Sequence, residues 1–223
     1  AESHRRHPPP HWDSHGVRPG SARPGRALCS APMLPAQADD EPRYAWVVVA
    51  ACATSLAVIF GISYSFAAFF ASFTAEFHAQ RADVSLVFGL SGLIYFLLGA
   101  GAGMLADRFG PRLVTCAGML CIGGGLLAGS GAGSMGTVTL VYGVLVGVGI
   151  GLVYTPAIAC VQPWFTRRRG LAAGLASAGL GLGTLLVPLL AAALIESLQW
   201  RAAMRWLALG VLTVGVGAAW LLR

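Results

Sequence analysis

From Tyr44 onward apolar residues come in long unbroken stretches instead of the alternation of a half-buried strand. No charged side chain lies between residues 44 and 70 or between 86 and 106. Residues 113–129 and 137–161 are uncharged and glycine-rich, 170–195 follows, and a last stretch runs over 202–222 with Arg205 near its start. A helix crosses the hydrocarbon core of a bilayer in about 20 apolar residues, within a range of about 17–25. Each stretch meets that requirement, the last one if Arg205 snorkels to the interface. The pattern predicts an all-α integral membrane protein with six transmembrane helices at about 44–70, 86–106, 113–129, 137–161, 170–195 and 202–222. The short polar links make sequential neighbours antiparallel.

Residues 1–43 read differently. They hold 8 of the 12 prolines, 4 of the 5 histidines and 6 of the 15 arginines, with almost no aliphatic run. Such a segment cannot bury enough apolar surface to fold, so a disordered cytoplasmic tail is expected. It lacks the apolar core of a signal peptide. The first methionine is Met33, and the expected start of translation is there, with residues 1–32 as upstream sequence outside the native protein. His4, His7, His11 and His15 have the spacing of helical metal ligands, but Pro8, Pro9 and Pro10 forbid that helix, so no metal is expected.

Composition sharpens the picture. Of the whole chain, 56 % is hydrophobic and 11 % charged, with a mean hydropathy of +0.70. Soluble domains carry roughly 25 % charge, so this chain cannot clothe a water-soluble fold. The net charge of +6 comes entirely from arginine. Arg43, Arg108, Arg112, Arg167, Arg168, Arg169 and Arg223 fall on one side of the predicted spans, and Arg81, Arg201 and Arg205 on the other. Seven against three is a positive-inside bias that puts both termini in the cytoplasm. The charge is thus a topology signal. A nucleic-acid surface would need clustered basic residues on a soluble fold, so no nucleic-acid partner is expected. The expected partners are the lipid bilayer and a small-molecule substrate. Five scattered cysteines without a C-x-x-C pair imply neither a disulfide framework nor a zinc site.

Inside the spans, glycines recur every four residues at Gly99/Gly103, Gly143/Gly147/Gly151, Gly170/Gly174 and Gly179/Gly183, the spacing that lets helices approach closely in lipid. Pro156 and Pro188 invite kinks. No ionisable side chain sits at mid-span, so neither a proton relay nor a fixed charge for an ionic substrate is present there. The polar material is hydroxyl, and Tyr64, Ser65, Tyr95 and Tyr154 are the candidate cavity residues. On the first span Thr54, Val58, Gly61, Ser65 and Ala68 share a face that either lines a cavity or makes a tight helix contact. An enzyme is not expected. Gly89-Leu90-Ser91-Gly92 matches an intramembrane serine protease motif, but the only histidine beyond the tail is His78, in a loop. Glycine runs such as Gly147-Gly149-Gly151 follow no soluble strand and make no dinucleotide site. No cofactor is expected.

The loops carry the most specific signals. Gly103-Met104-Leu105-Ala106-Asp107-Arg108-Phe109-Gly110-Pro111-Arg112 resembles, at every specified position, the G-x-L-a-D-R-x-G-x-R/K signature of the major facilitator superfamily. Pro111 suits a helix start, Gly110 a tight turn, and Asp107 a positive helix end or an arginine. The resemblance implies a cytoplasmic gate built on Gly103, Asp107, Arg108, Gly110 and Arg112. After the fourth span, Trp164-Phe165-Thr166-Arg167-Arg168-Arg169-Gly170-Leu171-Ala172-Ala173-Gly174-Leu175-Ala176-Ser177-Ala178-Gly179 is similar to the signature of the monocarboxylate transporter family, with Trp164 in place of its first tyrosine. Arg167, Arg168 and Arg169 would anchor this loop at the anionic leaflet. Glu41-Pro42-Arg43-Tyr44-Ala45-Trp46 and Gly61-Ile62-Ser63-Tyr64-Ser65-Phe66 resemble two further family segments. Ala68 stands where many animal lactate carriers have lysine. That departure speaks against lactate and lysine-based proton coupling, and for a bacterial relative such as the oxalate/formate-type branch.

The resemblance covers about 180 residues and implies alternating-access transport of a small organic anion across the bacterial inner membrane. The family has twelve helices in two halves around a midplane site, so this chain is expected to be the N-terminal six-helix half. Its partner is expected to be the missing C-terminal half or a second copy. The alternatives are a major facilitator carrier of an unrelated small solute and a non-transporting six-helix membrane protein.

Overall fold

The chain was analysed as a computed structural model, which describes residues 43–165 and 167–222. The tail, its histidines and the expected start at Met33 lie outside the described residues.

Each element begins and ends where local chemistry dictates. Helix α1 spans Arg43–Ser65, tightens into a 3₁₀ turn over Phe66–Phe69, and continues as α2, Phe70–Phe77. His78 ends α2 with a left-handed φ of 53°, a conformation that histidine tolerates better than most residues. Helix α3, Arg81–Phe109, opens with a capping box. The Asp83 carboxylate accepts the Gln80 N–H at 2.8 Å, and the Gln80 side chain accepts a first-turn N–H in return. One residue, Gly110, separates α3 from α4, Pro111–Ser130. Its φ of 86° favours glycine, and Pro111 starts the next helix where its missing N–H is harmless. Helix α5, Met135–Ala159, is capped by the Ser134 hydroxyl accepting the Thr137 N–H at 3.3 Å.

The final helical run, α6 over Arg169–Gly210, a π-helical turn over Val211–Gly215 and α7 over Val216–Leu221, totals 53 residues. At about 1.5 Å per residue that is near 80 Å, far beyond a hydrocarbon core of about 30 Å. It is bent back on itself at Gln199, whose φ of 69° and ψ of 157° are not helical. Residues 169–198 run parallel to α1 and residues 200–221 antiparallel to it. The described bundle therefore has six apolar limbs. Pro156 and Pro188 both lie within helix; the chain turns at Gln199 instead.

Glycine faces set the packing. A Cβ at Gly179 or Gly183 would overlap the backbone of Ala53 or Ala57 on α1, and one at Gly61 would strike Val187. Gly143, Gly147 and Gly151 bring α5 against Leu90, Ser91 and Tyr95 of α3, while Gly149 on the opposite face meets Gly118 and Ile122 of α4. The expected stripes at Gly143/Gly147/Gly151 and Gly179/Gly183 are therefore tight contacts. The other two are not. A Cβ at Gly99 or Gly103 meets only Thr155, and at Gly170 or Gly174 nothing within 4 Å. The face through Gly61 and Ser65 likewise resolves as helix contact, since Gly61 packs on α6 and Ser65 is 1 % exposed with its hydroxyl donating to the Gly61 carbonyl at 2.6 Å.

The apolar core lies among α1, α4 and α5, around Val48, Leu56, Ile59, Ile122, Leu126 and Val153. In their most apolar stretches 56 % of residues are buried, against 11 % for α3 and 17 % for the α6–α7 run. Helices α3 and α6 present Leu93, Phe96, Leu97, Leu185, Leu186 and Leu189 outward, a surface suited to hydrocarbon or to another apolar partner.

Candidate functional site

Two of the four cavity candidates, Tyr95 and Tyr154, meet at mid-depth, and Tyr64 lies one helical turn away. Phe60 lies midway along the run Arg43–Phe77, and Tyr95 midway along α3. Tyr154 of α5 reaches between them. Its ring meets Phe60 at 5.7 Å and 82°, and Tyr95 at 5.6 Å and 89°, both edge to face. Tyr64 stands one turn beyond Phe60 on α1 and meets Phe88 of α3 at 6.1 Å. Each such contact contributes about 0.5–1.5 kcal/mol beyond area burial. The Tyr64, Tyr95 and Tyr154 hydroxyls make no hydrogen bond to a described residue, whereas Thr155 donates to the Gly99 carbonyl at 3.1 Å. Ser65 stands apart, buried in the α1 contact. Phe60 and Phe88 were not singled out from the sequence, because a phenylalanine in an apolar run reads as core. Their spacing of four from Tyr64 and seven from Tyr95 was the available signal.

A second arrangement occupies the bundle end that carries Tyr44. Phe165, fully buried, meets Trp46 edge-on at 5.3 Å, and Trp164 packs on Tyr44 at 5.5 Å. The Tyr44 hydroxyl donates to the Leu221 carbonyl at 2.8 Å. The Trp164-Phe165 pair thus ties α5 to the start of α1 and the end of α7. Arg167, Arg168 and Arg169 are all exposed, and Arg169 turns back, its Nε donating to the Phe165 carbonyl at 2.6 Å. Arg169 also lines a cavity of about 250 Å³ between α5 and α6 with Gln162 and Ser177. Of the Gly103–Arg112 segment, Gly110 makes the turn. Arg112 lies over the Trp220 ring at 4.7 Å and Arg108 over Phe109 at 5.5 Å. Asp107 is exposed and forms no ion pair with a described residue.

At the opposite end a clasp escaped the sequence reading. Glu76 accepts hydrogen bonds from Arg201 at 2.6 Å and from the Trp200 indole at 2.5 Å. Arg201 also donates to the Ser130 carbonyl and Arg205 to the Ser130 hydroxyl. The run Arg43–Phe77 rises about 50 Å, so its last turn projects past the hydrocarbon. There the Arg201 hydrogen bond first, and the Trp200 one next, hold the Glu76 carboxyl below the ordinary glutamate value. Nothing local announced the clasp, whose partners are 124 and 125 residues apart.

Apolar limbs of membrane length define a multi-pass helical membrane protein. The family follows from comparison. Residues 27–223 match the model of the Major Facilitator Superfamily, and the chain belongs to that family. It is 35 % identical over 162 residues to Monocarboxylate transporter 13 of Bos taurus, covering 72 % of this chain and 38 % of that protein. It is 31 % identical over 176 residues to MFS-type transporter 1 of an Ophiocordyceps species, covering 78 % and 39 %. A peptide transporter POT mutant crystallised with sulfate shares the fold at a TM-score of 0.66 and 18 % identity, over 82 % of this chain and 41 % of that one. The chain spans about two fifths of the length of the relatives it matches.

Proposed function

We propose that the chain is the N-terminal half of a secondary carrier that moves a small organic anion by alternating access. The observation that carries this reading is the 35 % identity, over 72 % of the chain, to a protein named as a monocarboxylate transporter. The absence of charge at mid-depth agrees with it, since an anion's counter-charge is then supplied by the other half. That half, or a second copy of this chain, packs on the outward faces of α3 and α6. Gly103, Asp107, Arg108, Gly110 and Arg112 serve a gate at the Tyr44 end, where Asp107 awaits a partner across the interface. Arg167 and Arg168 face the anionic leaflet of the bacterial inner membrane, with both termini cytoplasmic. Tyr64, Tyr95 and Tyr154 line the central cavity, with Ser65 behind them.

The test is uptake of radiolabelled monocarboxylates by the carrier containing this chain, reconstituted in liposomes. Saturable uptake that is lost on Asp107→Ala, with protein insertion unchanged, is expected. Uptake at the rate of empty liposomes for every acid tried would refute the reading.

A further inference from the structure

The wall that α1, α3 and α5 build is made of rings, and its geometry bears on what lies against it. Phe60, Tyr154 and Tyr95 follow one another at near right angles, 82° and 89°. Each edge-to-face contact uses a face of only one ring, and Tyr95 also packs on Phe96 at 4.7 Å, so part of the ring surface along the wall is left for a further ring. There is space beside Tyr95 on the same face of α3. A Cβ at Gly92, three residues earlier, meets nothing within 4 Å, and one at Gly99, four residues later, meets only the Thr155 hydroxyl at 3.9 Å.

The hydroxyls identify what that space holds. A hydroxyl facing lipid without a partner is costly, and the Tyr64, Tyr95 and Tyr154 hydroxyls have no partner among the described residues. This face therefore borders a polar space and not hydrocarbon. Yet it offers no charge: no Asp, Glu, Arg or His lies on α1, α3 or α5 near these rings. A short acid such as acetate has nothing for such a surface to hold. A flat aromatic body gains ring neighbours along this wall, and its polar substituents meet the phenol hydroxyls.

We propose that this half recognises the body of the substrate through ring contacts, and that the acid carried is an aromatic monocarboxylate. The inference rests on the organic-anion reading above and adds the division of labour: rings here, counter-charge elsewhere. The experiment uses the carrier containing this chain, purified in detergent, and measures binding by calorimetry of three probes: 4-hydroxyphenylacetate, acetate and 2-(4-hydroxyphenyl)ethanol. The aromatic acid is expected to bind at least about tenfold more tightly than acetate, the gain one good ring contact supplies. Tyr154→Leu should shrink that ratio to about threefold or less, while Tyr154→Phe, which restores the ring, keeps it. Phe60→Leu repeats the test if the Tyr154→Leu protein does not purify as a single species. Acetate binding as tightly as the aromatic acid, or a ratio untouched by both leucine variants, overturns the proposal and leaves the organic-anion reading standing. The neutral alcohol binding as tightly as the acid, with acetate silent, supports ring recognition and overturns the organic-anion reading instead. No binding of either aromatic probe overturns the ring proposal outright.

Discussion

Substituting Gly183 by alanine tests how α1 and α6 are held together. The added methyl falls inside contact distance of the Ala57 carbonyl oxygen, Cα and carbonyl carbon; even the last and farthest, at 2.6 Å, is short of the 3.4 Å where ordinary contact begins by about 0.8 Å. The obstacle is backbone, so no rotamer change relieves it and the two helices must part. A gap of 0.5–1 Å forfeits about a quarter to a half of each dispersion contact across it, and overpacking of this kind costs about 1–3 kcal/mol. Alanine returns about 1 kcal/mol through helix propensity. The expected net loss for Gly183→Ala is about 0–2 kcal/mol. Gly181→Ala is the control, because a Cβ there meets nothing within 4 Å. It keeps the propensity gain without the clash and should be neutral or stabilising by up to about 1 kcal/mol. In thermal unfolding of the chain in detergent micelles, 1 kcal/mol moves the midpoint by about 2–4 °C. Gly183→Ala should therefore fall several degrees below Gly181→Ala. Equal midpoints for the two variants would refute the close α1–α6 contact.

Three further substitutions probe the turn, the wedge and the clasp. Gly110→Ala forces a φ of 86° on an L residue and should lower stability by about 1–3 kcal/mol, read as a lower unfolding midpoint; an unchanged midpoint would argue against the one-residue turn. Phe165→Ala empties a fully buried site and should cost about 3–5 kcal/mol, seen as loss of monodisperse protein on size exclusion. Leu171→Ala, at an exposed site nearby, should not. Because the clasp lowers the Glu76 value in the folded state, its stabilisation is present above the unfolded glutamate value and disappears as pH falls through the folded one. Between pH 7 and pH 3 the parent should lose more of its unfolding midpoint than Glu76→Gln; equal losses would show that the clasp does not form.

The class of fold was legible because charge is so scarce: thirteen Arg, Asp and Glu side chains follow Tyr44, none at mid-span, and stretches of membrane length remain between them. What pairs with what was less legible. Four-residue glycine spacing marks a smooth face but not what lies on it. Gly143, Gly147 and Gly151 found α3, whereas Gly170 and Gly174, with the same spacing, face open space. The hydroxyl count brought Tyr95 and Tyr154 forward, yet their contact spans 59 positions and needed the α3–α5 packing to be seen. The bend at Gln199 has neither glycine nor proline at the turning residue. Only the polar residues between Glu196 and Arg201 hinted that the chain returns there.

The uneven burial of the helices bears on what the charged segments do. Helices α1, α4 and α5 form the core, while α3 and the first part of α6 lie along its sides, resting on glycine faces that contribute contact without interlocking side chains. Several exposed charges at the Tyr44 end sit at the tips of these two least-buried elements: Asp107 and Arg108 end α3, and Arg167 and Arg168 precede α6. Exposed side chains contribute little to stability, usually within about 0.5 kcal/mol, so Asp107, Arg108 and Arg168 add little to holding the bundle together. A substitution there should leave the unfolding midpoint close to the parent's, the opposite of what Phe165→Ala should do from a few residues away.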